Sequence, residues 1–241
     1  MQTPHQTVMS SKLCGTLGVS RRLRMDGNGL SIFQSKLVFA AAFSACAIAC
    51  ATPSGLAQKG MTMIAIEKME VGKPPAEFDF ARTGQGGPGQ WIVVTDPTAS
   101  GGRAIEQSSI DRTDYRFPLA IYKPISVTNA EITVRFKPVA GNVDQAGGIV
   151  MRLIDSNNYY AVRANALEDN VRFYRVVKGK REQLEGANLK VSPDQWHTLG
   201  LKAEDERFTV TFNGKQLFTA TDRTFGIAGK VALWTKSDSV M

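Results

Sequence analysis

The stretch that decides the fold is GGIVMRLIDSNNYYAVRANALEDNVRFYRVVKGK, residues 147–180. It contains three apolar runs separated by DSNN at 155–158 and LEDN at 167–170, and VKGK at 177–180 closes it. Asn, Asp and Gly at these points are turn chemistry. Within each run the side chains alternate with period two, the signature of a strand with two unlike faces. Ile149, Met151 and Leu153 share one face of the first run. Tyr160, Val162 and Ala164 do so in the second, and Val171, Phe173 and Val177 in the third. That face is apolar and is expected to be buried. The other face collects Val150 and Arg152, then Tyr159, Arg163 and Asn165, then Arg172 and Tyr174.

Working outward, the same pattern recurs in QWIVV, RFPLAIY, AEITVRFKPV, WHTLGLKA, RFTVTFNG, KQLFTA and KVALWT. These runs are rich in β-branched and aromatic residues, and almost no stretch reads as a helix. Asn213-Gly214 between two of them is a two-residue hairpin signal. Many short strands with regular turns predict an antiparallel sandwich or barrel. In KVALWTK the alternation sets Ala232, Trp234 and Lys236 together on the more polar face, where a large aromatic is less expected.

Composition is that of a globular chain, 43% hydrophobic and 21% charged. The N-terminal part reads differently. Lys36 precedes a short apolar run, Leu37–Ala49, and small residues follow to Ala57. A basic flank, a short hydrophobic region and a small-residue exit describe a secretory signal, too short for a stable membrane span. Residues 1–57 are therefore expected to be leader and signal peptide, 58–74 a linker or N-terminal strand, and 75–241 the domain. The expected location is extracytoplasmic, periplasmic or secreted. All three cysteines, Cys14, Cys46 and Cys50, lie in the leader. No thiol chemistry or disulfide is expected in the domain. FSAC and AIAC loosely resemble lipoprotein cleavage boxes and make Cys46 and Cys50 candidate positions for a lipid anchor. Five of the 29 basic residues and one of the 22 acidic residues precede position 58, so the formal charge of +7 falls to +3 in the remainder. That is too little for a nucleic-acid face.

The chemical motifs are sparse. His197 is the only histidine after the leader, and its alternation places it with Leu199 and Leu201, a core position. No GxSxG motif is present. TGQGGPG contains glycines 84, 86 and 89 in a dinucleotide-like spacing, but Pro88 interrupts it and a strand follows, so a loop is expected. Glu204, Asp205 and Glu206 cluster at a hairpin turn, not as two carboxyls across a cleft. No cofactor or metal is expected. What remains is the face bearing Arg152, Tyr159, Arg163, Asn165, Arg172, Tyr174, Trp234 and Lys236. Guanidinium forks and amides suit hydroxyl pairs or carboxylates. Aromatic rings offer a platform to the C–H face of a pyranose. A glycan or glycoside is the expected ligand.

QWHTLGLKAEDERFTVTFNGKQLF, residues 195–218, resembles the tryptophan-histidine strand, hairpin and following strand of laminin-G and concanavalin A-like domains. The 147–180 stretch and GKVALWTKSDSV, residues 229–240, resemble the secreted 3-keto-disaccharide hydrolase branch, which is family 16 glycoside hydrolase-like. The resemblance spans about residues 75–240. It implies a jelly-roll sandwich of two antiparallel sheets with a sugar-related role. It also implies cleavage of 3-keto-glycosides as an alternative to binding. The Glu-x-Asp-x-x-Glu strand of family 16 glucanases is absent. Members of the branch continue into a further strand where this chain ends at Met241, so an open C-terminal sheet edge with a strand partner is a further expectation. A non-catalytic envelope interaction domain is the third reading.

Overall fold

The computed structural model describes residues 60–241. The expected leader and signal peptide and the candidate anchor positions Cys46 and Cys50 lie outside the described residues. Residues 60–77 hold one 3-10 turn, Ile66–Lys68, and no strand. Thirteen strands follow: β1 Phe78–Gly84, β2 Trp91–Thr95, β3 Arg103–Gln107, β4 Arg116–Val127, β5 Ala130–Phe136, β6 Ala146–Asp155, β7 Asn158–Asn165, β8 Asn170–Val177, β9 Lys180–Asn188, β10 His197–Glu204, β11 Arg207–Phe212, β12 Lys215–Thr221 and β13 Gly229–Thr235. They form a seven-stranded antiparallel sheet, β1-β4-β13-β6-β7-β8-β9, a four-stranded sheet, β12-β11-β10-β5, and the β2-β3 hairpin.

Local chemistry explains the connections. Lys178-Gly179 and Asn213-Gly214 both have positive φ at both residues, the conformation a two-residue hairpin turn requires. The TGQGGPG segment runs as the loop from β1 to β2. Arg116 stitches that loop down, donating from Nε to the Gly87 carbonyl at 2.8 Å and from Nη2 to the Pro88 carbonyl at 2.8 Å.

The two large sheets face each other across one core. Ile149, Met151, Tyr160, Val162, Ala164, Val171 and Phe173 of the long sheet meet Leu199, Leu201, Phe208, Val210 and Phe212 of the short one. His197 belongs to this layer, 6% exposed, with its ring stacked on Phe212 at 5.1 Å and Nε2 within 2.9 Å of the Ser192 carbonyl. Its structural reading stands.

Of the register shifts in the sheets, the one in β6 decides which side chains reach the candidate face. Arg152 has φ 50°, and the β6–β7 register shifts between Met151 and Asp155. The bulge turns Arg152 away from the face assigned to it. Its guanidinium donates to the carbonyls of Thr128 (2.8 Å), Phe225 (2.7 Å) and Asp205, and sits 5.0 Å from the Phe208 ring of the inter-sheet core. Leu153 is displaced the other way and packs with Val150 and Tyr159 instead of Ile149. Arg152 is thus a buried structural tie and no part of the candidate binding face.

The long sheet is also curled. Thr83 of β1 lies 2.8 Å from the Tyr159 hydroxyl of β7, four strands away in the sheet order. In a flat sheet that separation is roughly 20 Å at ~4.8 Å per strand. Tyr115, just before β4, donates its hydroxyl to the Gly179 carbonyl at 2.9 Å and accepts the Arg181 N–H at 3.0 Å. The side away from the short sheet is therefore concave. Its middle is filled by Phe117, Leu119, Val150, Tyr159, Ala161, Val176 and Trp234.

Candidate functional site on the concave face

Strand register arranges the concave face in rows. One row reads Leu119 of β4, Trp234 of β13, Gly148 of β6, Arg163 of β7, Arg172 of β8 and Gly186 of β9. The row on its apolar side reads Ala232, Val150, Ala161, Tyr174 and Gln183. On its polar side Ala146, Asn165, Asn170 and Asn188 are in register, and Lys236 follows the end of β13. The face grades from hydrocarbon to amide and charge within a few residues of each strand.

Both glycines of the central row are demanded by their neighbours. A Cβ on Gly148 would lie 2.4 Å from the Val162 carbonyl and 3.2 Å from the Arg163 Cβ. A Cβ on Gly186 would lie 2.4 Å from Arg172 Cδ. The Arg172 side chain thus crosses β9 in the space left by Gly186, and Nη2 donates to Asn188.

Arg163, 4% exposed, is the centre of the polar end. Nη1 donates to Asn170 Oδ1 at 2.7 Å, and Nη2 donates to Glu168 Oε2 at 2.7 Å and to the Tyr174 hydroxyl at 3.2 Å. Nε is buried with no partner among the described residues. Lys236 Nζ bridges Asp144 Oδ2 at 2.6 Å and Asp114 Oδ1 at 2.8 Å. Asn165 donates to Asp144 at 2.7 Å, and its carbonyl oxygen accepts the Leu167 N–H at 2.9 Å, shaping the turn that carries Glu168. The loop bearing Asp144 is held by the Asp238 carboxylate, which accepts the N–H groups of Asn142 (2.9 Å), Val143 (3.0 Å) and Asp144 (3.0 Å).

Burial pushes the Asp144 carboxyl above the usual carboxylate range against the pull of Lys236. Burial would lower the Lys236 ammonium, but Asp114 and Asp144 outweigh it and hold the ammonium high. Burial would likewise raise Glu168, and contact with Arg163 overrides it. The hydroxyl of Tyr159, deep in the apolar part, is pushed up to about 12 by desolvation. Among the described residues no group of three or more His, Cys, Asp or Glu is placed to hold a metal ion.

Of the residues singled out in the sequence, Tyr159, Arg163, Asn165, Arg172, Tyr174, Trp234 and Lys236 occupy neighbouring rows of this one face, and Arg152 does not. Five of the seven, Tyr159, Arg163, Asn165, Tyr174 and Trp234, are buried, and the two central aromatics depart furthest from expectation. Trp234 is 1% exposed, stacked on Phe117 at 5.3 Å and 17°, and Tyr159 is fully buried. Neither is a platform open to solvent, because the curl folds the walls over them. Arg181 completes the closure, with its guanidinium 4.8 Å from the Phe117 ring and 4.4 Å from the Tyr174 ring. The parts that reach solvent are Glu168, Asp114 and the partly exposed Arg172. Gly148, Glu168, Asn170, Arg181, Gly186, Asp114 and Asp144 were not singled out in the sequence. Asn170 follows from extending the alternation of β8 back to its first residue, and Gly186 from carrying the rows one strand further. Asp114 and Asp144 sit in loops, where period two gives no signal.

A curled long sheet backed by a shorter one is a jelly-roll sandwich, and one solved structure superposes closely enough to show the same fold. The carbohydrate binding module CBM66 from Bacillus subtilis superposes with a TM-score of 0.54 at 18% identity, covering 67% of this chain and 90% of the module. A protein of unknown function with a galectin-like fold from Bacillus subtilis gives 0.47 at 12% identity, covering 67% and 84%. The Bacillus licheniformis beta-glucanase gives 0.42 at 12% identity, covering 69% and 83%. The sequence matches no family model and no curated relative. The chain is an all-β jelly roll of two antiparallel sheets, the fold it shares with the CBM66 module.

Proposed function

We propose that the chain is an exported carbohydrate-recognition domain whose ligand seats at the polar end of the concave face, against Arg163, Arg172, Asn170, Tyr174 and Lys236. The observation that carries this reading is the central row. Two glycines remove side chains beside two arginines, and Arg163 keeps a buried Nε–H without an acceptor among the described residues. A buried donor left unmade costs about 1–3 kcal/mol, which a ligand oxygen or a bound water would recover. The signal-like segment at 36–57 supports export, and the fold shared with a carbohydrate binding module supports a sugar ligand.

The test is a titration of the purified protein with a panel of plant and bacterial oligosaccharides and 3-keto-glycosides, each weighed by mass spectrometry afterwards. Saturable binding with every mass unchanged, weakened in Arg172→Ala, is the expected result. Indifference of binding to Arg172→Ala would remove the site, and a cleaved 3-keto-glycoside would replace binding by turnover.

A further inference from the structure

We infer that the ligand of this site is an acidic sugar, a uronic acid whose carboxylate is taken by Arg172 beside Arg163. The inference rests on the binding site proposed above and specifies its ligand class.

Four cations, Arg163, Arg172, Arg181 and Lys236, stand on or beside the polar end, against three carboxylates, Asp114, Asp144 and Glu168. The carboxylates are already engaged. Asp144 takes Lys236 and Asn165, Glu168 takes Arg163 and Asn170, and Asp114 takes Lys236. The cations are not matched in the same way. Arg172 bonds Asn188 and the Val171 carbonyl and has no carboxylate within ion-pair distance among the described residues. Arg181 meets aromatic faces, and its Nη1 is buried without a partner among the described residues. Arg163 and Arg172 are directly opposite each other in the register, a pairing of like charges that destabilises a sheet unless something neutralises it.

A neutral hydroxyl both donates and accepts, so a site for neutral sugars needs free acceptors as well as free donors. Here Arg172 and Arg181 offer donors with no carboxylate of their own among the described residues, and the four cations exceed the three carboxylates by one charge. An ionised carboxylate is acceptor-only, carries one negative charge, and presents two oxygens to a planar guanidinium fork. The space left by Gly186 lays the Arg172 fork along the rim where such a group can reach it.

The deciding experiment titrates the intact protein with three matched oligosaccharides by calorimetry: a neutral one, its uronate counterpart and a sulfated one. The expected result is saturable uronate binding, at least about tenfold tighter than neutral binding and weakened by salt. Arg172→Gln and Arg172→Lys should each lose about tenfold for the uronate with unchanged melting temperature, because lysine restores charge but not the fork. Equal binding of neutral and uronate sugars, both lowered by Arg172→Gln, would overturn the carboxylate and leave the glycan site standing. Binding of the sulfated sugar alone would also overturn it. A folded protein that binds none of the three would overturn both.

Discussion

The two faces of the seven-stranded sheet solve the same problem in different ways. One face buries Ile149, Tyr160, Val162 and Phe173 against a second sheet. The other buries Phe117, Tyr159, Val150 and Trp234 against itself, by curling until Thr83 meets Tyr159 and Tyr115 meets Gly179. The first solution closes the face completely. The second closes only as far as the curl reaches: the rows beyond it turn polar, with Arg163, Asn165 and Asn170 still buried and Arg172, Lys236 and Asn188 reaching solvent. The position of the site is thus set by where the roll stops, and the short sheet plays no part in it.

Paired substitutions make the sharpest challenge to that contrast. Phe208→Ala, in the inter-sheet layer, should cost about 3–5 kcal/mol. Trp234→Ala should cost a similar amount if the concave face is a second core. Urea unfolding of both variants checks this, and a Trp234→Ala protein as stable as the parent would restore the exposed platform. Asp238→Ala comes next, at about 2–3 kcal/mol, because three loop N–H groups lose a charged acceptor at once. Local amide exchange at residues 142–144 should rise in that variant, and unchanged protection would mean that the loop is held by something else. Tyr115→Phe should cost about 1 kcal/mol and speed exchange at Arg181, since it removes the hydroxyl that joins the two walls.

The smallest effect is confined to acid. The Lys137 ammonium and Thr98 hold the Asp96 carboxyl down at about 2, and the Gly87 N–H and Thr113 hold Asp111 down at about 2. Both folded values lie below the ordinary 3.8, so the stability they add is complete above that pH. It drains away as pH falls from 3.8 to about 2. In Asp96→Asn and Asp111→Asn the melting temperature should therefore fall less steeply over this window than in the parent. An identical acid profile would show that neither carboxylate is linked to folding.

Much of the architecture was legible because period two reports face directly. His197 fell with Leu199 and Leu201 on paper and lies with them in the core, and the Asn213 and Lys178 turns were readable from their glycines. Three strands were not singled out. β9, Lys180–Asn188, is a polar edge strand with little buried surface, so its alternation carries almost no hydrophobic contrast. β1 and β3 are likewise mixed in character, with polar and apolar residues on both faces. The site was legible as a face and illegible as a surface. Alternation brought Arg163, Asn165, Arg172, Tyr174 and Lys236 together, but it is blind to curvature, which buried Trp234 and Tyr159. It is equally blind to a bulge, and one positive φ at Arg152 was enough to send that side chain to another part of the molecule.

The place of β13 has a consequence for how the chain reaches this state. β13 hydrogen-bonds β4 on one side and β6 on the other, in the centre of the long sheet. A polypeptide emerging from its N-terminus can form the β6-β7-β8-β9 meander early, from contacts close in sequence. It cannot join that meander to β1 and β4 until residues 229–235 arrive. Until then two strand edges face one another across an empty lane, and closure of the ring that ties Thr83 to Tyr159 must wait. Assembly of this sheet is therefore a late, long-range event, of the kind that makes β proteins slow to fold. A chain interrupted before Gly229 should remain in the half-built state, with its concave face unformed.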